Sequence, residues 1–374
     1  MKDFKKEEMI SIAQRENNEK RAYLFVNAFQ AKHIPVSPLQ ALSLFEALAK
    51  KVYSQNQSQK MTIIGFAETA TAIGSGVAGH CPRDAYYIHT SRENMPKKDI
   101  VVEFQEEHSH ATEQILFCEQ KEKMLFQSKK ILFVEDEITT GKTILNFVQA
   151  LKQKGIQSEF AACSIVNSMT QAHREVFLKN NIQLYQLFTM EQMDGQKEFS
   201  QKSIVLEKRA EHLPSWIEYQ TVFGKIDPRL GTDAKQYQMA CEALANKIYD
   251  MFEKKTGKNI LVLGTEECMY PAIVTGAYFE KRGKNVKTHS TTRSPIVARE
   301  EENYPIFNKS SFESVYEKGR KTYLYNLTNY DTVIMITDAH SFNKMGVKAL
   351  LKALKNYGND NIIIIRWKEH ENVL

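Results

Sequence analysis

The sequence predicts an α/β protein of two doubly wound parallel-sheet domains, a tandem duplication in which the second copy is degenerate. Three observations carry that prediction. Apolar runs of four to seven residues alternate with stretches of helical period. The runs are continuous, as suits parallel strands buried on both faces. An ordered series of matches links the first half of the chain to the second at a separation near 200 residues. At 374 residues the chain is also too long for one domain of about 150.

In chain order the expected strands are Met61 to Gly65, Ala85 to His89, Lys130 to Val134 and Phe160 to Val166, then Asn259 to Gly264, Val286 to Ser290, Thr332 to Thr337 and Asn361 to Trp367. Helical period fills the gaps, as in Ile144 to Leu151 and Val347 to Leu354. This strand-helix alternation is the doubly wound pattern. The polar stretch from Glu191 to Lys202 lacks apolar period. The expected domains are therefore residues 1–205 and 206–374.

The repeat is specific at polar positions. Phe45 to Tyr53 matches Cys241 to Tyr249 at six of nine residues. Gly65 and Glu68 meet Gly264 and Glu267, Thr90-Ser91-Arg92 meets Thr291-Thr292-Arg293, and Asp136 meets Asp338. The offset drifts only from 196 to 203 and the order never changes.

Composition narrows the function. Apolar residues at 42% and charged residues at 25% are ordinary globular values, which excludes wholesale disorder. Fifty Lys and Arg against 45 Asp and Glu leave +5, a mild excess suited to phosphorylated small molecules and not requiring nucleic acid. No apolar run reaches the roughly 18 residues of a membrane span, and Met1 to Glu8 lacks a signal-peptide core. Five cysteines without a Cys-x-x-Cys pair argue against a disulfide framework. The expectation is a cytoplasmic protein acting on small molecules, with no membrane partner and with homo-oligomerisation left open.

The segment Ile131 to Thr143 carries the chemistry. An apolar strand is followed by the acids Glu135 and Asp136, a turn of Thr139, Thr140 and Gly141, then Lys142, Thr143 and a helix. Ligands of open α/β sheets bind at the carboxyl ends of strands. The turn and helix start offer N–H groups and hydroxyls to an anion, whereas carboxylates accept hydrogen bonds from neutral hydroxyls. A ligand with a phosphate and a diol a few ångströms apart, such as ribose 5-phosphate, fits both. Gly141-Lys142-Thr143 does not complete a P-loop, because Asp136 stands where its first glycine is needed. Gly74, Gly76 and Gly79 match a dinucleotide pattern but lie inside a helix, where close packing is the expected use.

Residues 131 to 143 resemble the binding signature of type I phosphoribosyltransferases for 5-phosphoribosyl 1-diphosphate (PRPP), with Glu137 where an apolar residue is usual. Lys32 to Val36, Gly65 to Thr71, Glu106 to His110 and Thr292-Arg293-Ser294-Pro295 extend the resemblance over nearly the whole chain. They resemble phosphoribosyltransferases fused to a carboxyl-terminal TRSP domain, a family of tellurium-resistance biosynthetic operons. The resemblance implies a glycosyltransferase that moves ribose 5-phosphate onto a base-like or biosynthetic acceptor and releases pyrophosphate, with Mg²⁺ held mainly by substrate oxygens and water. A non-catalytic PRPP or nucleotide sensor, or a diphosphokinase like PRPP synthetase, is the alternative; the last would need an ATP site.

Carried over by residue, Glu135 and Asp136 would hold the ribose hydroxyls, and Thr139, Thr140, Gly141, Lys142 and Thr143 the 5-phosphate. Ala67, Glu68 and Thr69 stand where the fold carries its pyrophosphate loop, or else form an ordinary helix cap. Arg92 would face pyrophosphate, unless it is a solvated surface residue. His108, within Glu106 to His110, belongs to a lid supplying a proton donor or acceptor, to a plain loop, or to a zinc site. Lys32 and His33 form a hood over the acceptor or a structural turn. In the second half, Glu266, Glu267, Arg293 and Ser294 concentrate polar groups at strand ends, and Arg293 with Glu267 would read the acceptor unless this half only buttresses the first. The basic turn from Lys281 to Lys287 lacks interleaved aromatics and reads as a solvated turn.

Overall fold

The computed structural model describes residues 4–16, 21–56, 60–93, 100–104, 114–117, 127–191 and 212–369. These divide into two compact units, one of residues 45–192 with 226–240, the other of residues 1–44, 193–225 and 241–374. The boundary expected between residues 205 and 206 falls outside the described residues.

The first unit is built on five parallel strands, β1 (Met61–Gly65), β2 (Ala85–His89), β3 (Lys130–Ile138), β4 (Glu159–Asn167) and β5 (Ile182–Thr189). They lie in the spatial order β2-β1-β3-β4-β5, with the two-residue strand Thr232–Asp233 antiparallel on the outer edge of β2. Helix α1 (Ala70–Gly79) follows β1, α2 (Lys142–Gln153) follows β3 and α3 (Gln171–Lys179) follows β4. In α2 the apolar positions Ile144, Phe147, Val148 and Leu151 recur at helical spacing and are all buried. They join Ile64, Phe66, Ile131, Phe133 and Phe160 in one core. Phe147 meets Phe66 edge-to-face at 5.0 Å, which fixes the helix against the sheet.

The expected strand Lys130 to Val134 is longer than its apolar run. Pairing with β4 continues through Glu135↔Ser164, Glu137↔Val166 and Ile138↔Asn167, so the acids belong to the strand itself. Side chains alternate along a strand, which sets Asp136 on the face opposite Glu135 and Glu137. The helix begins at Lys142, earlier than the apolar run starting at Ile144.

The second unit repeats the plan with β6 (Trp216–Phe223), β7 (Asn259–Gly264), β8 (Asn285–Ser290), β9 (Thr332–Thr337) and β10 (Asn361–Lys368), in the order β6-β10-β9-β7-β8 and all parallel. Strands β8-β7-β9-β10 thus repeat β2-β1-β3-β4. The edge differs: β5 follows β4 in the chain, whereas β6 precedes the strands it completes. Helix α4 (Met269–Glu280) follows β7, and α5 (Lys344–Lys355) follows β9.

Register makes the duplication residue-specific. Gly65 pairs with His89 and Val134, and Gly264 pairs with Ser290 and Ile336. Gly65 therefore corresponds to Gly264, Arg92 to Arg293 and Asp136 to Asp338. The Thr90 N–H donates to the Gly65 carbonyl at 2.9 Å, as Thr291 does to Gly264 at 3.0 Å. An antiparallel hairpin follows β2 (Ile100–Phe104 with Gln114–Phe117) and another follows β8 (Lys309–Glu313 with Lys321–Tyr325). Even the bridge to the hairpin recurs, Ser91 to Ile115 and Thr292 to Tyr323.

The amino-terminal residues belong to the second unit. Ile10–Gln14 and Tyr23–Asn27 form an antiparallel pair whose Ala13, Leu24 and Val26 share a core with Ile296, Ala298, Ile306, Tyr323 and Tyr325. The glycines of α1 pack as expected. A Cβ on Gly74 would lie 3.1 Å from the Gly65 Cα, and one on Gly76 would lie 2.6 Å from Phe45.

Candidate functional site

In the order β2-β1-β3-β4-β5, β1 and β3 are the neighbours whose connections diverge to opposite sides, so the crevice at their carboxyl ends is the topological switch point. Three segments converge there. The loop Phe66 to Thr69 leaves β1, Thr90 to Arg92 leaves β2, and the acids end β3 on adjacent strands about 4.8 Å apart. The Phe66 N–H donates to the Val134 carbonyl at 3.1 Å and the Ala67 N–H to the Thr90 hydroxyl at 2.8 Å, which ties the three together. The Ala67–Glu68 peptide is cis. The Thr71 hydroxyl donates to the Glu68 carbonyl at 3.1 Å, so the loop runs directly into α1. Glu68 is buried, Thr69 and Arg92 half-buried.

Glu135, Asp136, Thr139, Thr140 and Thr143 are all half-buried, and Lys142 is exposed. Glu137 accepts a hydrogen bond from the Ser168 hydroxyl at 2.7 Å, which accounts for an acid where an apolar residue was expected. Gly141 has φ +73° in the left-handed region and begins α2 with no side-chain cap. A Cβ there would fall on the Phe177 ring. Gly141 itself has no side chain to cap α2, the Thr140 hydroxyl accepts from the Lys142 N–H at 3.3 Å, and the helix start presents the positive end of its dipole. Half-buried acids beside such a helix start can take hydroxyls and an anion of one ligand.

The corresponding place in the second unit is organised differently. Asp338 is buried, accepting from the Tyr316 hydroxyl at 2.6 Å and pairing with Lys225 at 3.6 Å. Glu266, 1% exposed and left-handed at φ 45°, accepts from Arg293 Nε at 2.9 Å and faces Arg320 at 2.9 Å. The Ser314 hydroxyl donates to its other oxygen. Glu267 is buried beside it and Ser294 is half-buried. Asn343 caps α5 by accepting from the Met345 N–H at 3.2 Å. Sequence reasoning missed Ser314, Tyr316, Arg320 and Lys225, which come from a hairpin turn and a connecting segment with no motif of their own.

Lys32 and His33 are buried in the second unit, with Arg293, Ser294 and Glu267, and in a different unit from Glu135 and Asp136. Burial, aided by Lys32, His289 and Arg15, holds His33 well below the usual histidine range. Burial also pushes His289 down to about 4. His108 and the rest of Glu106 to His110 lie outside the described residues. Lys284, in the basic turn, donates to the carbonyls of Thr256 and Gly257 at 3.1 and 3.2 Å, a structural use. No helix among the described residues is long and apolar enough to cross a membrane.

A family described as phosphoribosyl transferase matches residues 9–189, and the TRSP domain that stands C-terminal to it matches residues 227–354. Among solved structures the chain is similar to orotate phosphoribosyltransferase from Aeropyrum pernix, at 15% identity over 50% of this chain and 90% of that one, with a TM-score of 0.32. It is also similar to adenine phosphoribosyl transferase from Trypanosoma brucei (12% identity, 52% and 86% covered, TM-score 0.36). The adenine enzyme from Giardia lamblia aligns at 12% identity, with 50% and 96% covered and a TM-score of 0.37. No curated protein sequence matches the chain.

Proposed function

Because the chain belongs to the family in which a phosphoribosyl transferase is followed by a TRSP domain, we propose that its first unit transfers ribose 5-phosphate from PRPP to a base-like or biosynthetic acceptor. Pyrophosphate is the leaving group. The observation that carries this reading is the glycine-led start of α2 beside half-buried acids at the β1/β3 switch point.

In this reading the backbone N–H groups and hydroxyls from Thr139 to Thr143 hold the 5-phosphate. Glu135 and Asp136, on the two faces of the strand end, accept from the neighbouring ribose hydroxyls. Ala67, Glu68, Thr69 and Arg92 receive the diphosphate from the next strands, Arg92 through the paired N–H groups of its guanidinium. As the C1–O bond to pyrophosphate breaks, positive charge develops on the ribose, and the acceptor's lone pair forms the new bond at C1. The carboxylates stabilise that charge, and the fixed phosphate contacts keep C1 in line with the acceptor. Half-buried carboxylate oxygens are the hard donors that suit a Mg²⁺ ion retaining most of its water. Bound with the substrate, the ion would neutralise diphosphate charge.

The experiment is incubation of the purified chain with PRPP, Mg²⁺ and a panel of purines, pyrimidines and small-molecule extract fractions, reading pyrophosphate. Acceptor-dependent release is expected. Tight PRPP binding with no release under any acceptor would favour a sensor instead.

A further inference from the structure

The second unit retains the geometry of the first at its own switch point, yet chain groups stand at both places where the first unit would bind phosphate. Its loop after β7 corresponds to the proposed diphosphate loop, with Glu266 at the position of Ala67. The correspondence extends to one backbone contact: the Glu266 N–H donates to the Thr291 hydroxyl at 3.0 Å, as Ala67 does to Thr90 at 2.8 Å. Ala67 has no carboxylate. The Glu266 carboxylate is drawn inward to Arg293, Arg320 and the Ser314 hydroxyl. A left-handed backbone is costly for a residue with a Cβ, and charge-assisted bonds offset that cost.

The second phosphate position is also taken. Asn343 corresponds to Gly141 in the register set by Asp136 and Asp338, and α5 starts at Lys344 where α2 starts at Lys142. Here the helix start is capped by Asn343, whose amide donates to the Ser314 carbonyl at 2.8 Å and to Glu313 at 3.1 Å. A Cβ on Gly346 would collide with the Ser314 carbonyl, so the hairpin turn sits directly on the helix start. The first turn of α5 thus meets the chain's own oxygens.

We propose that the second unit is a phosphoribosyl-type site permanently occupied by its own chain, in which the Glu266 carboxylate substitutes for a bound diphosphate between Arg293 and Arg320. This assigns Arg293 to an internal anion in place of the acceptor role expected from the sequence. Removing the carboxylate should leave a two-arginine pocket that takes inorganic pyrophosphate.

Glu266→Gly is the informative variant, because glycine accepts the left-handed backbone that Glu266 occupies. Calorimetric titration of the full chain with inorganic pyrophosphate should show one more site in Glu266→Gly than in the parent. That extra site should vanish in Glu266→Gly/Arg293→Ala. Counting the added site separates this idea from the first unit's function, which sets only the parent's count. A folded Glu266→Gly with the parent's stoichiometry overturns the proposal. Folding that depends on added pyrophosphate supports it. If the variant is insoluble with and without pyrophosphate, Glu266→Asp serves, since its shorter carboxylate cannot reach both guanidiniums. Pyrophosphate should then raise its melting temperature more than the parent's, and equal shifts would overturn the proposal.

Discussion

Replacing Gly141 by alanine tests how the proposed phosphate cradle is built. Two costs combine at that position. The backbone has φ +73°, and holding a residue with a Cβ in the left-handed region costs about 1–2 kcal/mol. The new Cβ would also land on the Phe177 ring, which is 1% exposed and belongs to the core, so it has little room to swing away. Overpacking of that kind costs about 1–3 kcal/mol. Gly141→Ala should therefore destabilise the chain by about 2–5 kcal/mol. Gly155 provides the control: its φ is +83°, and nothing lies within 4 Å of an added Cβ. Gly155→Ala should carry only the backbone cost. Urea denaturation of both variants, followed by far-ultraviolet circular dichroism, measures the difference. Phe177→Ala should recover part of the excess in Gly141→Ala while costing stability of its own. If Gly141→Ala is no worse than Gly155→Ala, the contact with Phe177 does not shape the turn and the reasoning fails.

Acid should destabilise the second unit. Unfolded histidines take up a proton near 6.5, but folded His289 resists protonation until about 4 and His33 is shifted in the same direction. Between those values the unfolded state binds more protons, so stability falls as pH falls, by about 2 kcal/mol from His289 alone between about pH 7 and pH 5. Urea midpoints at the two pH values measure it, and a His289→Gln variant that keeps the full pH dependence would contradict the assignment. Residues 212–374 expressed alone should lose cooperative folding, because Ala13, Leu24 and Val26 complete a core with Ile296 and Tyr325; a sharp thermal transition in that fragment would refute this. Asp338→Asn should lower stability by about 3–5 kcal/mol, since it removes one charge of the buried Lys225–Asp338 ion pair, and chemical denaturation reads the loss.

Much of the fold was legible because parallel strands buried on both faces advertise themselves as continuous apolar runs. Met61–Gly65, Asn259–Gly264 and Thr332–Thr337 have the ends read from sequence. β5 was missed because Ile182–Thr189 mixes buried and exposed positions at a sheet edge, and β6 because most of Trp216–Phe223 is exposed or half-buried. Period reveals the type of an element but not its partner, so nothing in residues 1–44 announced that they complete the second unit. The candidate site was legible where its chemistry is contiguous, from Glu135 to Thr143. Register supplied the match of Arg92 with Arg293, which the repeat had signalled. Tyr316, Arg320 and Lys225 were not legible, because each reaches its acid from a distant segment whose spacing carries no pattern.

On the proposed function, the switch point of the first unit binds PRPP and that of the second does not. Isothermal titration of PRPP with Mg²⁺ into the parent chain, Asp136→Asn and Asp338→Asn tests it most directly. Losing one charged hydrogen-bond partner costs about 1.5–3 kcal/mol, so Asp136→Asn should bind roughly ten- to a hundred-fold more weakly. Folded Asp338→Asn should bind like the parent, because its carboxylate is already held by Tyr316 and Lys225. Equal weakening in both variants, or a parent chain that does not bind PRPP, would contradict the account.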